Sequence, residues 1–232
     1  MTTVLRETVG AVRILTLNRP DKLNAANLDM QRTLLDEVRL VASNTDLRVL
    51  ILTGAGRAFS AGGDRSIIEA MADDSCDFRA ELSEISIGIT RAMLELEIPT
   101  IAAVNGPAIG WGAGLTALCD RVVMAQSAYL CDPHVRYGIA AAPPLQLILP
   151  RRCSDLVARD ILMTGRKVMG EEALALGLAN RICPDDALRD TALALAEDFV
   201  TLPRQGLAAI KRDFNAPLVA EAIRAAELVP AS

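Results

Sequence analysis

Histidine and aromatic residues are scarce in this sequence of 232 residues. It contains one histidine, His134, and only 3% of its residues are aromatic. A single histidine excludes metal centres and proton relays that need several imidazoles, and we expect no metal site. Because aromatic side chains are few, the core must be built from aliphatic ones, which the hydrophobic fraction of 51% supplies.

Long apolar runs, blocks of one charge and paired cysteines are also missing. No apolar run reaches the roughly 18 residues of a membrane span, and residues 1–6 do not resemble a signal peptide. The 24 basic and 29 acidic residues give a net charge of −5 without a basic block, so we expect no nucleic-acid partner. The five cysteines are widely spaced and form no CxxC pair, which favours reduced thiols and a cytoplasmic location.

The first half of the chain alternates short apolar strands with helical patterns. The strand patterns lie at 12–17, 49–53, 100–104, 122–125 and 129–131, and the helical patterns begin at 27 and 78. Between them we expect glycine-rich loops at 54–64 and 106–114, and a polar loop at 65–77. This order predicts an α/β fold with parallel strands.

Beyond Pro143 the pattern becomes helical, with glycine or proline between the segments. The predicted helices are 145–149, 156–163, 171–176, 187–202, 207–214 and 220–228. We therefore divide the chain into an α/β core at 1–180 and a helical region at 181–232.

The two glycine-rich loops each follow a buried strand and each precede a helix. Such loops let a ligand approach the backbone and can present N–H groups at a helix start, although glycine serves ordinary turns equally well. Phe59 occupies the sixth position of a possible dinucleotide-binding motif, where glycine or alanine is needed, so the sequence disfavours a dinucleotide site. Ser60 lies outside a G-x-S-x-G motif, because residue 58 is alanine, so no motif supports a serine hydrolase.

Several blocks in order resemble the enoyl-CoA hydratase/isomerase (crotonase) family over nearly all of residues 10–215. The matching blocks are LNRPDKLNA at 17–25, ILTGAGRAFSAGGD at 51–64, PTIAAVNGPA at 99–108 and LCD at 118–120. The resemblance implies a crotonase-like spiral of ββα turns with a helical C-terminal region. It also implies a homotrimer or a dimer of trimers. The chain ends before the last helix of typical members, so we expect the oligomerisation region to be shortened.

Members of that family bind acyl-CoA thioesters and stabilise a thioester enolate. By resemblance, the backbone N–H groups of Ala61 and Trp111 would form the oxyanion hole, and losing one such donor typically lowers the rate about 10²–10³-fold. The resemblance places coenzyme A, as part of the substrate rather than a separate cofactor, against Lys22, Leu23, Ala25, Ala61, Gly62, Gly63, Asp64 and Lys211. For Lys211, a solvated helix lysine is an equally good interpretation.

The sequence departs from the family at both glutamates with which its hydratases activate water. Gly114 stands at the first position and His134 at the second. A glycine side chain moves no proton, so the two-glutamate mechanism does not transfer. Imidazole titrates closest to neutral pH, and Asp132, two residues earlier, is placed to orient it. We therefore predict Ala61, Trp111, His134 and Asp132 as the catalytic set.

The loop after this position is also changed, to AAPPL at 141–145. It lacks the hydratases' glycines, and it carries neither the aspartate of related dehalogenases, near Ala142, nor the tyrosine of related decarboxylases, near Ala141. Hydration or isomerisation of an enoyl-CoA is the first hypothesis, and isomerisation fits one proton carrier better. The alternatives are a C–C bond hydrolase acting through His134 and a member that binds acyl-CoA without turnover.

Overall fold

The computed structural model describes residues 2–72 and 79–227 as nine strands and nine α-helices. The strands are β1 (Val4–Val9), β2 (Val12–Leu17), β3 (Val49–Gly54), β4 (Thr100–Val104), β5 (Ala108–Ile109), β6 (Arg121–Ala125), β7 (Tyr129–Cys131), β8 (Lys167–Met169) and β9 (Arg181–Cys183). The helices are α1 (Leu28–Ser43), α2 (Arg65–Ala72), α3 (Arg79–Glu95), α4 (Trp111–Leu118), α5 (Pro143–Arg152), α6 (Asp155–Thr164), α7 (Gly170–Ala175), α8 (Leu188–Val200) and α9 (Arg204–Glu227). Short 3-10 helices lie at Pro20–Lys22, His134–Tyr137 and Asp185–Ala187.

The main sheet has six strands in the order β1-β2-β3-β4-β6-β9. Only the β1–β2 pair is antiparallel; the other neighbours run parallel. Every residue of β4 and the first four of β3 are buried, as expected for parallel strands covered on both faces. The predicted α/β class with parallel strands is therefore confirmed.

A second, three-stranded sheet has the order β5-β7-β8. β5 follows the first residues of the second glycine-rich loop, and β7 leads directly into the 3-10 helix His134–Tyr137. Because β5 and β7 are parallel neighbours, with Ile109 opposite Cys131, the start of α4 and the segment carrying His134 are brought together.

The helices pack on the main sheet and on one another. α8 contacts β2, β3, β4 and β6, whereas α1 packs on α3 and α3 on α9. The predicted division at 180 would assign β9 to the C-terminal region, but β9 pairs with β6 and is the edge strand of the main sheet. α8 packs on that same sheet, so the core continues past the predicted boundary.

Two local predictions were wrong. The predicted polar loop at 65–77 begins as helix α2, because Asp64 caps it by accepting hydrogen bonds from the Ser66 N–H at its side chain and from the Ile67 N–H at its carbonyl; residues 73–77 lie outside the described part. The predicted helices 207–214 and 220–228 form the single helix α9, which contains Pro217. Packing of α9 on α3 and α5 overrides the local tendency of proline to end a helix.

The cysteines were predicted as reduced thiols. Cys119, Cys131, Cys153 and Cys183 are free, and Cys76 lies outside the described residues. Within 2–72 and 79–227, no helix is both long and apolar enough to cross a bilayer. No cluster of three potential metal-ligating side chains occurs in those ranges either.

Candidate active site

A cavity of about 530 Å³ lies between the two glycine-rich loops, α3, and the segment from Pro133 to Pro144. Most of its wall is apolar, contributed by side chains such as Ile67, Leu82 and Leu115. His134, Gly63 and Trp111 line the same cavity. The residues predicted for catalysis therefore meet at one cavity, apart from Asp132, which does not line it and contacts His134.

The first glycine-rich loop is held by backbone pairing with residues 23–26. The Ala61 N–H donates to the Leu23 carbonyl at 2.9 Å, and the Asp64 N–H donates to the Ala26 carbonyl at 2.9 Å. Between them, the N–H of Gly63 has no acceptor within the described part of the chain. The structure thus corrects the predicted donor: the Ala61 N–H is already bonded, and the free N–H belongs to Gly63.

The second loop delivers Trp111 as the first residue of α4. Gly110 adopts a φ of +51°, which glycine tolerates, and its N–H donates to the Cys131 carbonyl at 2.8 Å. The Trp111 N–H belongs to the first helical turn and finds no acceptor among the described residues. A hydrogen bond of 2.9 Å from the Ile109 N–H to the Ser60 carbonyl joins the two loops.

His134 Nδ1 and Asp132 Oδ1 are in hydrogen-bond contact, so the expected contact is present. The His134 side chain is 21% exposed, whereas that of Asp132 is only 1% exposed. The ring lies beside Gly110: a Cβ added there would be 3.2 Å from His134 Cε1 and 3.7 Å from Nε2. With Nδ1 bonded to Asp132, Nε2 is the ring nitrogen left for a substrate.

The Asp132 carboxylate is fixed by a second partner. Its Oδ2 accepts a hydrogen bond of 2.8 Å from the Ala142 N–H, in the loop that leads into α5. Burial alone would raise the pKa of this carboxyl group, but the hydrogen bonds from His134 and Ala142 outweigh burial, and the pKa lies below its usual value. Asp132 is therefore ionised at neutral pH and holds both the imidazole and the loop.

Gly114, at the position of the missing first glutamate, lies beside the changed loop at 141–145. A Cβ added at Gly114 would lie 3.6 Å from Pro144 Cγ and 3.9 Å from Ala142 Cβ. A methyl group would fit there at ordinary contact distance. Gly114 thus lines the cavity beside the apolar atoms of Pro144 and Ala142.

The segment predicted to contact coenzyme A runs beside the first glycine-rich loop. Lys22 ends a 3-10 helix and is exposed, whereas Leu23 and Ala25 are half-buried. Through the Leu23 carbonyl this segment is bonded to Ala61, which places it along Gly62, Gly63 and Asp64. The structure brings these residues together, and their contact with coenzyme A stays a prediction.

Arg19 joins the same two segments, and the sequence analysis did not single it out. Its Nη1 lies 3.0 Å from Asp64 Oδ2 and also bonds the Ala25 carbonyl. Partial burial opposes ionisation of Asp64, but hydrogen bonds from Ser66 and Arg19 prevail and lower the pKa of that carboxyl group. In the sequence, only the position of Arg19 in the NRPD segment directly before Lys22 indicates that it belongs to this site.

Asn24, whose side-chain amide is buried, was also not singled out in the sequence analysis. It is fully buried, and its Nδ2 donates to the carbonyls of Ala55 and Ala58 at 2.8 Å each. Asn24 adopts a φ of +55°, which asparagine tolerates better than most residues. It fixes the backbone from which the first glycine-rich loop starts.

Lys211 occupies a different environment from either predicted one. Its ammonium donates to Asp120 Oδ2 at 2.7 Å and to the Ile98 carbonyl at 3.0 Å, and its side chain is 7% exposed. It is neither a solvated lysine nor a free cation in this structure. Instead it attaches α9 to Ile98, which precedes β4, and to Asp120, which follows α4.

Comparisons with known proteins identify the family. A family model described as enoyl-CoA hydratase/isomerase matches residues 7–228. A Thermus thermophilus protein named as a candidate enoyl-CoA hydratase is 38% identical over 189 residues, covering 82% of this chain and 74% of that protein.

Solved structures share the fold as well. A crystal structure of an enoyl-CoA hydratase/isomerase from Mycobacterium paratuberculosis has a TM-score of 0.89 at 39% identity, covering 97% of this chain and 89% of that one. A monofunctional enoyl-CoA isomerase from M. smegmatis has a TM-score of 0.81 at 31% identity, covering 99% and 100%. Sequence blocks, cavity and overall fold lead to the same conclusion: the chain belongs to the enoyl-CoA hydratase/isomerase (crotonase) family.

Proposed function

We propose that this member of the family isomerises an enoyl-CoA thioester, moving a double bond from C3–C4 into conjugation at C2–C3. The observation that carries the proposal is the Asp132–His134 pair, whose ring lines the same cavity as the free N–H groups of Gly63 and Trp111. The enoyl-CoA substrate class follows from the family and from the names of the relatives.

The two N–H groups supply the electrostatic part of the reaction. When a proton leaves C2, the electron pair moves toward the thioester oxygen and a dienolate forms. N–H groups fixed by the surrounding backbone stabilise that oxygen without reorganising, which is commonly the largest single contribution to catalysis. The Gly63–Trp111 pair replaces the predicted Ala61–Trp111 pair in this role.

His134 carries the proton. Asp132 accepts the Nδ1 proton, so the neutral imidazole presents the lone pair of Nε2 to the cavity. Nε2 takes the proton from C2 and returns it at C4, which re-forms the thioester carbonyl and leaves the conjugated double bond. One carrier thus serves both carbons, and the steps use only side chains and backbone of this chain, without an added cofactor.

The surroundings of Gly114 favour isomerisation over hydration. Hydration needs a second group to hold and activate water, but Gly114 has no side chain, and Pro144 and Ala142 cover its position with apolar atoms. Neither the structure nor the relatives favour the C–C bond hydrolase or the member without turnover.

We further propose that the active form is a homo-oligomer, with the trimer implied by the family. Leu156, Met163 and Phe214 on α6 and α9 are each at least 70% exposed and are available for contact with a second copy. Burial of these side chains against a second copy would favour self-association, which light scattering in solution would measure.

The assay compares a 3-enoyl-CoA with crotonyl-CoA, using wild-type protein and the His134→Ala variant. We expect the wild type to isomerise the 3-enoyl-CoA and to hydrate crotonyl-CoA much more slowly. His134→Ala should lower kcat for isomerisation by about 10²–10⁴, the usual contribution of a positioned acid–base group.

A folded protein that still binds acyl-CoA is the control for this variant, checked by circular dichroism and calorimetry. Full isomerase activity of His134→Ala would remove the proton-carrier role. Rapid hydration of crotonyl-CoA by the wild type would replace isomerisation by hydration as the main reaction.

A further inference from the structure

One polar side chain, Gln31, lies in the otherwise apolar buried face of α1. Its neighbours on that face are aliphatic or Met30, and Gln31 itself is only 2% exposed. Its Oε1 is buried and has no hydrogen-bond partner among the described residues, and the residue lines the cavity described above. A buried amide oxygen without a partner destabilises the free protein, so a donor supplied by a ligand would be well placed to pair with it.

No described side chain of the cavity wall donates to this oxygen. Ile67, Leu82 and Ile89 contribute aliphatic side chains, and the hydroxyls of Ser83 and Ser86, also in the wall, form no hydrogen bond with Gln31 among the described contacts. Thr90, also in the wall, donates its hydroxyl proton to the Ser86 carbonyl at 3.0 Å and is therefore committed within α3. No hydrogen bond in the described part of the chain reaches Gln31 Oε1.

We propose that Gln31 recognises a hydroxyl group on the acyl chain of the substrate, beyond the reacting carbons. In the proposed reaction the reacting carbons lie between His134 and the two N–H groups. Gln31 reaches the same cavity from α1, which packs on α3, rather than from the loops that carry those groups, so we assign its partner to the acyl chain beyond the reacting carbons. A hydroxyl group both donates and accepts, so it pairs with the amide in either orientation. This inference rests on the proposed acyl-CoA substrate class.

Binding of unreactive acyl-CoAs tests the inference independently of turnover. Saturated acyl-CoAs of increasing chain length are compared in pairs, one ending in a methyl group and the other in a hydroxymethyl group. Isothermal titration calorimetry gives the two dissociation constants of each pair for the wild type and for Gln31→Met, which keeps the side-chain length but lacks the amide.

For at least one chain length we expect the wild type to bind the hydroxylated partner about ten-fold more tightly than the methyl-terminated one, the difference that one well-made hydrogen bond produces. Gln31→Met should abolish or reverse this preference. The matched control, Gln205→Met, makes the same substitution at an exposed position outside the cavity and should keep the preference.

Equal binding of both partners by the wild type at every chain length would overturn the inference, as would a preference that survives in Gln31→Met. Failure of the wild type to bind any of the acyl-CoAs would instead contradict the proposed substrate class. The two failures are therefore distinguishable.

Discussion

At the scale of single residues, Asp132 organises the site. One buried carboxylate accepts hydrogen bonds from the backbone and side chain of His134 and from the backbone of Ala142. Charged acceptors form stronger hydrogen bonds than neutral ones, so this carboxylate restrains the ring and the loop. It touches no reacting carbon and acts through His134 as a positioning residue.

Replacing this carboxylate by an amide, Asp132→Asn, tests that role. We expect kcat for isomerisation to fall by about 10²-fold or more with KM little changed, because the amide no longer fixes the imidazole tautomer. A fall in kcat that is matched at every pH by loss of folded protein would instead indicate a purely structural role.

The loss of stability caused by Asp132→Asn should be largest at neutral pH and decrease at acidic pH. The folded pKa of Asp132 lies below the ordinary value of 3.8, so its ionised form stabilises the native state above that value, and this contribution is lost as pH falls through the folded pKa. The difference in unfolding free energy from the wild type should be about 1–3 kcal/mol at neutral pH and shrink below about pH 4. Urea denaturation across this range measures it, and a pH-independent difference would contradict the assignment.

Gly63→Pro deletes the free N–H assigned to the oxyanion hole. We expect kcat/KM to fall by about 10²–10³, the usual effect of losing one such donor. Titration with a saturated acyl-CoA checks that the folded site still binds its ligand. If a folded, ligand-binding variant kept activity close to that of the wild type, the Gly63 N–H would not be the oxyanion-hole donor.

At the scale of elements, the glycines of α4 serve different neighbours. Gly112 faces the first glycine-rich loop, where an added Cβ would lie 2.7 Å from Ser60 Cβ and 2.9 Å from its carbonyl oxygen. Gly114 faces the start of α5, where the same atom would meet only ordinary contacts. One helix therefore contains a glycine that the fold requires and another that it does not.

The pair Gly112→Ala and Gly114→Ala separates these two roles. Gly114→Ala should raise the unfolding free energy by about 0.5–1 kcal/mol, because alanine is the better helix former. Gly112→Ala should lower it by about 1–3 kcal/mol, because the Ser60 backbone cannot move aside without disturbing the loop. Chemical denaturation of both variants gives the comparison, and equal effects would contradict the packing described for α4.

The sequence predicted elements and local contacts better than distant ones. The contact between Asp132 and His134 was foreseeable because two residues separate them. The choice of Gly63 over Ala61 was not, because the free N–H depends on pairing with residues 23–26, far away in the chain. The partners of Lys211 were hidden for the same reason: Asp120 is 91 positions away.

At the scale of the whole molecule, the C-terminal helix α9 is part of the body of the fold. It packs on α3 and α5, and Glu221 near its end lines the cavity. Its only lysine, Lys211, is buried against Asp120, which also accepts hydrogen bonds from the N–H and hydroxyl of Thr100. The position of α9 thus depends on a polar contact at the start of β4.

Lys211→Met should weaken this attachment. We expect the unfolding free energy to fall by about 1–3 kcal/mol, since Asp120 loses its charged partner at a half-buried site. KM for an acyl-CoA should stay unchanged, because the ammonium already bonds two groups of the protein. Lys22→Met, at an exposed position, is the matched variant and should raise KM at unchanged stability; the opposite pattern would restore Lys211 to the coenzyme A site.

The two hydrogen bonds of the Asp132 carboxylate also bear on how such a site changes during evolution. Because one residue fixes both the imidazole and the loop over Gly114, substitutions at either place should have non-additive effects on activity. A Cβ at position 114 already lies at contact distance from Pro144 and Ala142, and the Ala142 N–H bonds the carboxylate that orients His134. A change to the two-glutamate arrangement would then require coordinated substitutions, because any adjustment of this loop also acts on the imidazole.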